Sequence, residues 1–391
     1  MTLGRRLGLV LGFTQTLAWA TTFYMPTVVV GPASGGLHQS PTLLLGGFSW
    51  SLLIAGLASP RVGRRIDRHG GRGVLAGSSV VMAVGLVVMA ALPNLAGWWI
   101  GWTVIGAGMA LGLYDAAFAT IGRLLGQQAR PVIVGVTLMA GFASTVGWPM
   151  GVGLVHLLGW RGTLVVYAAI QLGLNLPLIL WLVPRAGNGA ATGPPVSPVG
   201  SSRQAGTAAL ILLAGFFSVR AGISAVVSVH ALRLLQGVGL SAGAAVGVAA
   251  LFGPSQVFGR VLEWSVARRF DPFATSVMGA VLLPAGAAAL LAGAPPVVFA
   301  VGYGMSNGIL TISRGTLPMH LFGARGYAIR LGRLALPALL AQAAAPTAIT
   351  PLVLAWPASR VFAALGIAAV LALLCLLPLH VLASRRVGVA E

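Results

Sequence analysis

The chain has 391 residues, 57% of them hydrophobic and 7% charged, and its 24 basic residues, all arginine, outnumber five acidic ones for a formal charge of +19. So little polar surface cannot coat a soluble globule of this length, so the chain belongs in a membrane and not in water. The arginines are spread as short flanks rather than gathered into a patch, so they set membrane topology and do not bind nucleic acid.

A bilayer core of about 30 Å takes roughly 20 apolar residues per helix, and lipid offers the backbone no hydrogen-bond partners, so each apolar stretch must be helical. The pattern gives twelve spans: 7–30, 42–59, 74–93, 97–122, 131–157 and 163–183, then 206–232, 240–258, 273–292, 295–318, 333–355 and 359–382. Arg5 and Arg6 precede the first span. The even gaps hold Arg61, Arg64, Arg65, Arg68 and Arg72; Arg123 and Arg130; Arg185 and Arg203; Arg260, Arg268 and Arg269; and Arg325 and Arg330. Arg385 and Arg386 follow the last span, and the odd gaps hold little beyond Arg161 and Arg360. The positive-inside rule therefore puts both termini in the cytoplasm, with the chain threaded many times through the cytoplasmic (inner) membrane. Arg5 to Ala20 imitates a secretory signal but reads as an uncleaved first helix, because eleven spans follow. The single cysteine, Cys375, allows no internal disulfide.

Residues 184–205 are rich in Pro, Gly and Ser and read as a cytoplasmic linker. It divides the chain into six-helix bundles at 1–183 and 206–391. Two such bundles form the commonest secondary-transporter plan, with the substrate site between them near mid-membrane. The expected fold is thus an all-α membrane protein of twelve transmembrane helices in two pseudo-symmetric halves, acting as a monomer on a small solute within the lipid bilayer.

Between spans 2 and 3 runs Gly63-Arg64-Arg65-Ile66-Asp67-Arg68-His69-Gly70-Gly71-Arg72. The glycines permit a tight turn, and Asp67 can pair with arginines or cap a neighbouring helix. This segment resembles the signature of the major facilitator superfamily, a group of membrane transporters, departing from it at Gly71, where a basic residue is usual. The resemblance implies a conformational latch on the cytoplasmic side formed by Gly63, Asp67, Arg68, Gly70 and Arg72. Gly259 and Arg260 through Glu263, Arg268, Arg269 and Asp271 look like a degenerate second copy, with a chance basic loop as the alternative. The run Gly141 to Pro149, followed by Gly159-Trp160-Arg161-Gly162, resembles the monocarboxylate-porter-like branch. The Gly147-to-Gly151 run distantly resembles a signature linked to antiporters, which keeps export of drugs or metabolites open.

An ionisable residue inside a span is costly unless it faces a cavity or a partner, which makes it a functional candidate. Of the five acids, Asp67, Glu263, Asp271 and Glu391 fall in loops or at the end, and only Asp115 lies in a span, the fourth. Arg314 sits at similar depth in the tenth span and Arg220 near the middle of the seventh. One acid against two arginines favours an anionic or carboxylate-bearing substrate held by Arg220 and Arg314. Asp115 is the candidate proton carrier, since a carboxyl that passes between apolar and arginine-lined surroundings can take up and release a proton. A structural ion pair between Asp115 and Arg314 is the alternative. Gln15, Trp19, Tyr24, Tyr114, Trp148, Tyr303 and Asn307 supply aromatic and amide groups for the same pocket. His230 and His320 lie near span ends and read as interfacial. Glycines at 106, 108 and 112, and at 147, 151 and 153, suit close helix packing. Ten methionines offer soft ligands for Cu(I), yet no Met-x-x-Met run falls inside a span, so neither a metal nor a cofactor is expected. Secondary transport of a small organic solute leads, with protons as a second partner. A membrane receptor that has kept the fold is the reading from another class.

Overall fold

The computed structural model describes residues 2–92, 94–185, 207–267 and 269–379. The described residues are helical throughout and contain no strand. The helices are α1 (Leu3–Thr21), α2 (Pro26–Leu37), α3 (Pro41–His69), α4 (Arg72–Ala91), α5 (Leu95–Gly112), α6 (Tyr114–Leu125), α7 (Ala129–Ala140), α8 (Ala143–Ile170) and α9 (Leu176–Leu182). Then follow α10 (Thr207–Gly237), α11 (Ala242–Ala250), α12 (Phe252–Val266), α13 (Pro272–Leu291), α14 (Pro296–Phe322), α15 (Tyr327–Ala355) and α16 (Ala358–Leu374).

Nine of the segments among the described residues are long and apolar enough to cross a bilayer. One of them, Leu95–Leu182, is 88 residues long and contains the expected spans four, five and six. Those three run together because the turns between them are short. Gly126–Gln128 forms a single 3₁₀ turn, and the loop expected between spans five and six is only a kink at Gly159, whose φ of 69° suits a residue without a side chain. The first expected span is broken into α1 and α2 across Thr22–Met25, where Pro26 starts the second piece.

Helix ends follow the local chemistry. Ser40, Asn94, Ser241 and Asp271 each accept a backbone N–H of the helix they open. Asp271 is therefore the cap of α13. Two acids assigned to loops lie in helices: Asp67 in the last turn of α3, and Glu263 in α12 with 1% of its surface exposed. The helices run past the expected membrane boundaries because their buried faces continue, through Val62, Gly63 and Ile66 on α3 and through Gly259, Arg260 and Glu263 on α12. The stretch that resembles a second signature is thus mostly helix. Most of the expected linker lies outside the described residues, as do Arg203, Arg268, Arg385, Arg386 and Glu391.

The chain forms two compact units, Met1–Pro195 with Ala324–Leu336, and Val196–Gly323 with Pro337–Glu391. In the first, α4 packs on α5 through Gly85 and Gly101, where a Cβ on either would lie 2.9 Å from the other's carbonyl oxygen. Gly108 and Gly112 press on Met82 and Ser78 of α4, and Gly106 presses on Ser51 of α3, whereas Gly153 faces open space. In the second unit α14 packs on α12 and α13, with Gly304 against Ser255 and Gly308 against the Gln256 backbone. Large apolar side chains such as Leu157, Trp181, Ile211 and Ile367 stay exposed, as a lipid-facing surface requires.

Candidate functional site

In the first unit the fourth span is discontinuous. A continuous helix would send the Ala116 N–H to the Gly112 carbonyl. Leu113 is instead extended, with φ −83° and ψ −169°, and Ala116 bonds Leu113 O at 3.1 Å. The Gly112 carbonyl released by this break is taken by Gln15 of α1, whose Nε2 donates to it at 2.6 Å. One turn along α1, the Trp19 ring lies 4.7 Å from Tyr114, the first residue of α6. Tyr24 follows at 6.3 Å from Trp19 and 6.1 Å from Trp148, and Tyr114 stacks on Phe118 at 5.2 Å. Gln15, Trp19, Tyr24, Tyr114 and Trp148 are thereby brought together around one break in a helix. Trp148 is 45% exposed and forms the edge of the group.

Asp115 belongs to different surroundings. It lies in the first turn of α6 and borders a small cavity with Ser59, Val62, Gly63 and Ile66 of α3 and Ala328 and Gly332 of α15. Tyr327, buried at the start of α15, is close enough to feel its charge.

The signature segment abuts the same place. Asp67 Oδ2 accepts the Ile329 N–H at 2.9 Å, placing its carboxylate at the N-terminal turn of α15, where the helix dipole is positive. Gly63 is pressed so closely to α15 that a Cβ would overlap the Ala328 carbonyl oxygen, and Gly332 meets the Ser59 carbonyl in the same way. Gly70, with φ 83°, ends α3. Gly71 has no room for a side chain, because Thr120 of α6 fills the space. The guanidinium groups beside Asp67 are those of Arg123 of α6, which donates to the Asp67 carbonyl, and Arg330 of α15; Arg72 turns to the Leu180 carbonyl, and Arg68 is exposed.

In the second unit Arg220 sits mid-way along α10 with 5% of its surface exposed. Its Nη2 donates to Ser306 Oγ at 3.0 Å, and Ser306 donates on to the Gly279 carbonyl at 2.5 Å. Among the described residues Nε and Nη1 have no partner. Tyr303 and Asn307 lie one turn apart on α14 and meet α10 at Ser224: the Tyr303 hydroxyl donates to the Ser224 carbonyl at 3.2 Å, and Asn307 Nδ2 donates to Ser224 Oγ at 3.0 Å. Arg220, Tyr303 and Asn307 thus share one α10–α14 face. Arg314 lies farther along α14, half-buried. His230 is half-buried against α15, 3.3 Å from Pro346 O and from Thr350 Oγ1.

Sequence reasoning missed Ser224 and Ser306, which link the second-unit residues, and a buried amide network in the first unit. There Gln171 Nε2 donates to Thr21 Oγ1 at 2.8 Å, and Asn175 Nδ2 lies 3.0 Å from Gln171 Oε1. Both sit in a π-helical turn, Gln171–Asn175, within span six. Two amides four residues apart in an otherwise apolar run were the available signal.

No protein-family model matches the chain, and no characterised relative matches it by sequence. Solved structures do match. The human organic anion transporter MFSD10 (TETRAN) aligns over 96% of this chain and 100% of its own, at 16% identity and a TM-score of 0.73. The chain has the major facilitator fold. The E. coli fucose:proton symporter FucP aligns over 97% of this chain and 98% of its own at 14% identity and a TM-score of 0.68. For the major facilitator proton:xylose symporter XylE the figures are 95%, 93%, 17% and 0.64. The likeness to the monocarboxylate-porter-like branch rests on the sequence pattern alone. Within the major facilitator fold, the break in span four and the α10–α14 face are two of the buried polar places among the described residues.

Proposed function

We propose that this protein is a secondary transporter of small organic anions, which it carries across the cytoplasmic membrane by alternating access of two six-helix halves. One observation carries the anion reading: Arg220 is buried on an apolar helix with two guanidinium nitrogens unpartnered among the described residues. A buried unsatisfied group costs about 1–3 kcal/mol, and more when charged, so an anionic ligand that supplies the missing acceptors gains most there. A carboxylate matches the planar fork, and Tyr303 and Asn307 border the same face. The organic anion transporter among the structural neighbours supports this class of solute, and the two proton symporters support coupling to protons.

Asp115 is the proton carrier in this reading. Its place beside Gly63 and Gly332 gives its charge a route to the α3–α15 contact, so that taking up a proton loosens or tightens the latch formed around Asp67. The test is counterflow and pH-driven accumulation of labelled carboxylates in proteoliposomes. Wild-type protein is expected to accumulate its solute under an imposed pH gradient. Asp115→Asn is expected to keep solute exchange but lose accumulation, and its binding affinity should be flat across pH where the wild type varies. An Asp115→Asn variant that still concentrates solute on a pH gradient would remove the aspartate from the coupling scheme. A protein that binds solute stoichiometrically without counterflow would be a receptor.

A further inference from the structure

At the break in span four two buried polar atoms have no partner among the described residues. One is Gln15 Oε1, on a side chain 2% exposed whose orientation is fixed by the bond from its Nε2 to the Gly112 carbonyl. The other is Trp19 Nε1, one turn farther on the same face of α1. Buried polar atoms are almost always paired, by protein, water or ligand. The first of these atoms only accepts a hydrogen bond and the second only donates one. No simple ion suits both: a carboxylate accepts from the indole N–H but repels the amide oxygen, and an ammonium donates to the amide oxygen but opposes the indole N–H. A hydroxyl group gives one hydrogen bond and takes another, so a single hydroxyl can satisfy both atoms. Trp19, Phe23, Tyr24 and Tyr114 form an aromatic group around them, with ring centroids 4.6 Å, 6.3 Å and 4.7 Å from Trp19. Such faces pack against the C–H surface of an alicyclic or short aliphatic chain.

We infer that the face of α1 at the Gly112–Tyr114 break is a hydroxyl-recognition subsite, in which a substrate hydroxyl donates to Gln15 Oε1 and accepts from Trp19 Nε1. Taken with the anion reading of the proposed function, on which this rests, the substrate class is a hydroxylated carboxylate, a hydroxy acid or sugar acid. The pair also explains why the break is held open at this point. Gln15 uses one end of its amide to hold the Gly112 carbonyl and presents the other end to the ligand, so the break and the acceptor are set by one side chain.

The experiment uses the purified full chain in nanodiscs. Binding is measured by calorimetry with paired carboxylates, lactate against propanoate and gluconate against hexanoate, to the wild type, Trp19→Phe, Gln15→Asn and Arg220→Ala. The wild type is expected to bind a hydroxylated member at least about tenfold more tightly than its deoxy partner, as a site built around a substrate hydroxyl does. Trp19→Phe keeps an aromatic face but removes the N–H together with the pyrrole half of the indole, so both members of a pair lose packing there; it should bring the hydroxylated member's affinity down to that of its deoxy partner and so erase most of the preference. Gln15→Asn, which withdraws the amide, should erase the preference as well. A Trp19→Phe or Gln15→Asn protein that keeps the wild-type preference for the hydroxylated member overturns the inference. It falls alone if both members of every pair bind equally and that binding is lost in Arg220→Ala. If no carboxylate binds the wild type, it falls together with the anion reading.

Discussion

Arg220→Ala is expected to abolish transport while the protein still inserts, purifies as a single species and melts at or above the wild-type temperature. The two halves of this result come from one cause. Arg220 has one protein hydrogen bond, to Ser306, and two buried nitrogens without partners, so the empty protein loses little when the guanidinium goes and sheds an unsatisfied charge. On the proposed anion reading, the loaded protein loses its contact with the solute. Truncating one side of a buried charged pair costs about 2–5 kcal/mol, which is roughly thirty- to several-thousand-fold in affinity. Arg220→Lys should fall between, because a lysine keeps the charge and loses the fork. Uptake into proteoliposomes and thermal unfolding measured on the same preparations check both halves. Wild-type uptake by Arg220→Ala would remove the arginine from the substrate path, and an unfolded variant would mean the residue is structural.

The second large effect is expected at Gly63. A side chain there has no space, because α15 backbone fills it, and Gly332 makes the reciprocal approach from the other helix. Gly63→Val must therefore push the first turn of α15 away from α3 and break the hydrogen bond from Ile329 to Asp67. Overpacking a filled contact costs about 1–3 kcal/mol. Amide hydrogen exchange over residues 325–332 should rise, and transport should fall at least about tenfold for a comparable loss of the latched state. Asp67→Asn is the gentler control. Its amide oxygen can still accept from Ile329, and what is lost is the carboxylate charge, felt by the helix end (about 0.3–1 kcal/mol) and by Arg123 and Arg330 beside it. It should slow transport far less than Gly63→Val. Unchanged exchange over 325–332 in Gly63→Val would show that the α3–α15 contact does not depend on the glycine.

Much of the architecture was legible because lipid imposes strong rules. Long apolar runs, arginines in alternate gaps and the Gly63–Arg72 signature are local in sequence, and each points to the same transporter plan. Two polar clusters were partly legible for a related reason: polar and aromatic residues stand out in an apolar chain, which marks Gln15, Trp19 and Tyr114 in one unit and Arg220, Tyr303 and Asn307 in the other. Less legible were the places where helices break or continue against expectation. The break at Leu113 has no proline, and the residues around it are good membrane helix formers; only the Gln15 amide from another helix shows how the released carbonyl is satisfied. The helical extension of α3 through the basic signature was hidden because charge suggested loop, while the buried face of Val62, Gly63 and Ile66 continued beneath it. Gly71 read as a missing cation. Thr120 occupies its side-chain space, and the cations beside Asp67 arrive as Arg123 and Arg330, both far away in the chain.

The π-turn at Gln171–Asn175 has its own geometric result. Each helical residue advances about 100° around the axis, and a π-turn accommodates one extra residue. Everything beyond Leu176 is therefore rotated by about that amount relative to an unbroken helix. The rotation sets which way the end of the sixth span faces, with Leu180 offering its carbonyl to Arg72 and Trp181 left 80% exposed. Deleting a single residue within the turn would swing that tail back by a quarter circle or so, parting Arg72 from its acceptor and re-aiming the span's exit, all without altering one apolar residue that faces lipid upstream.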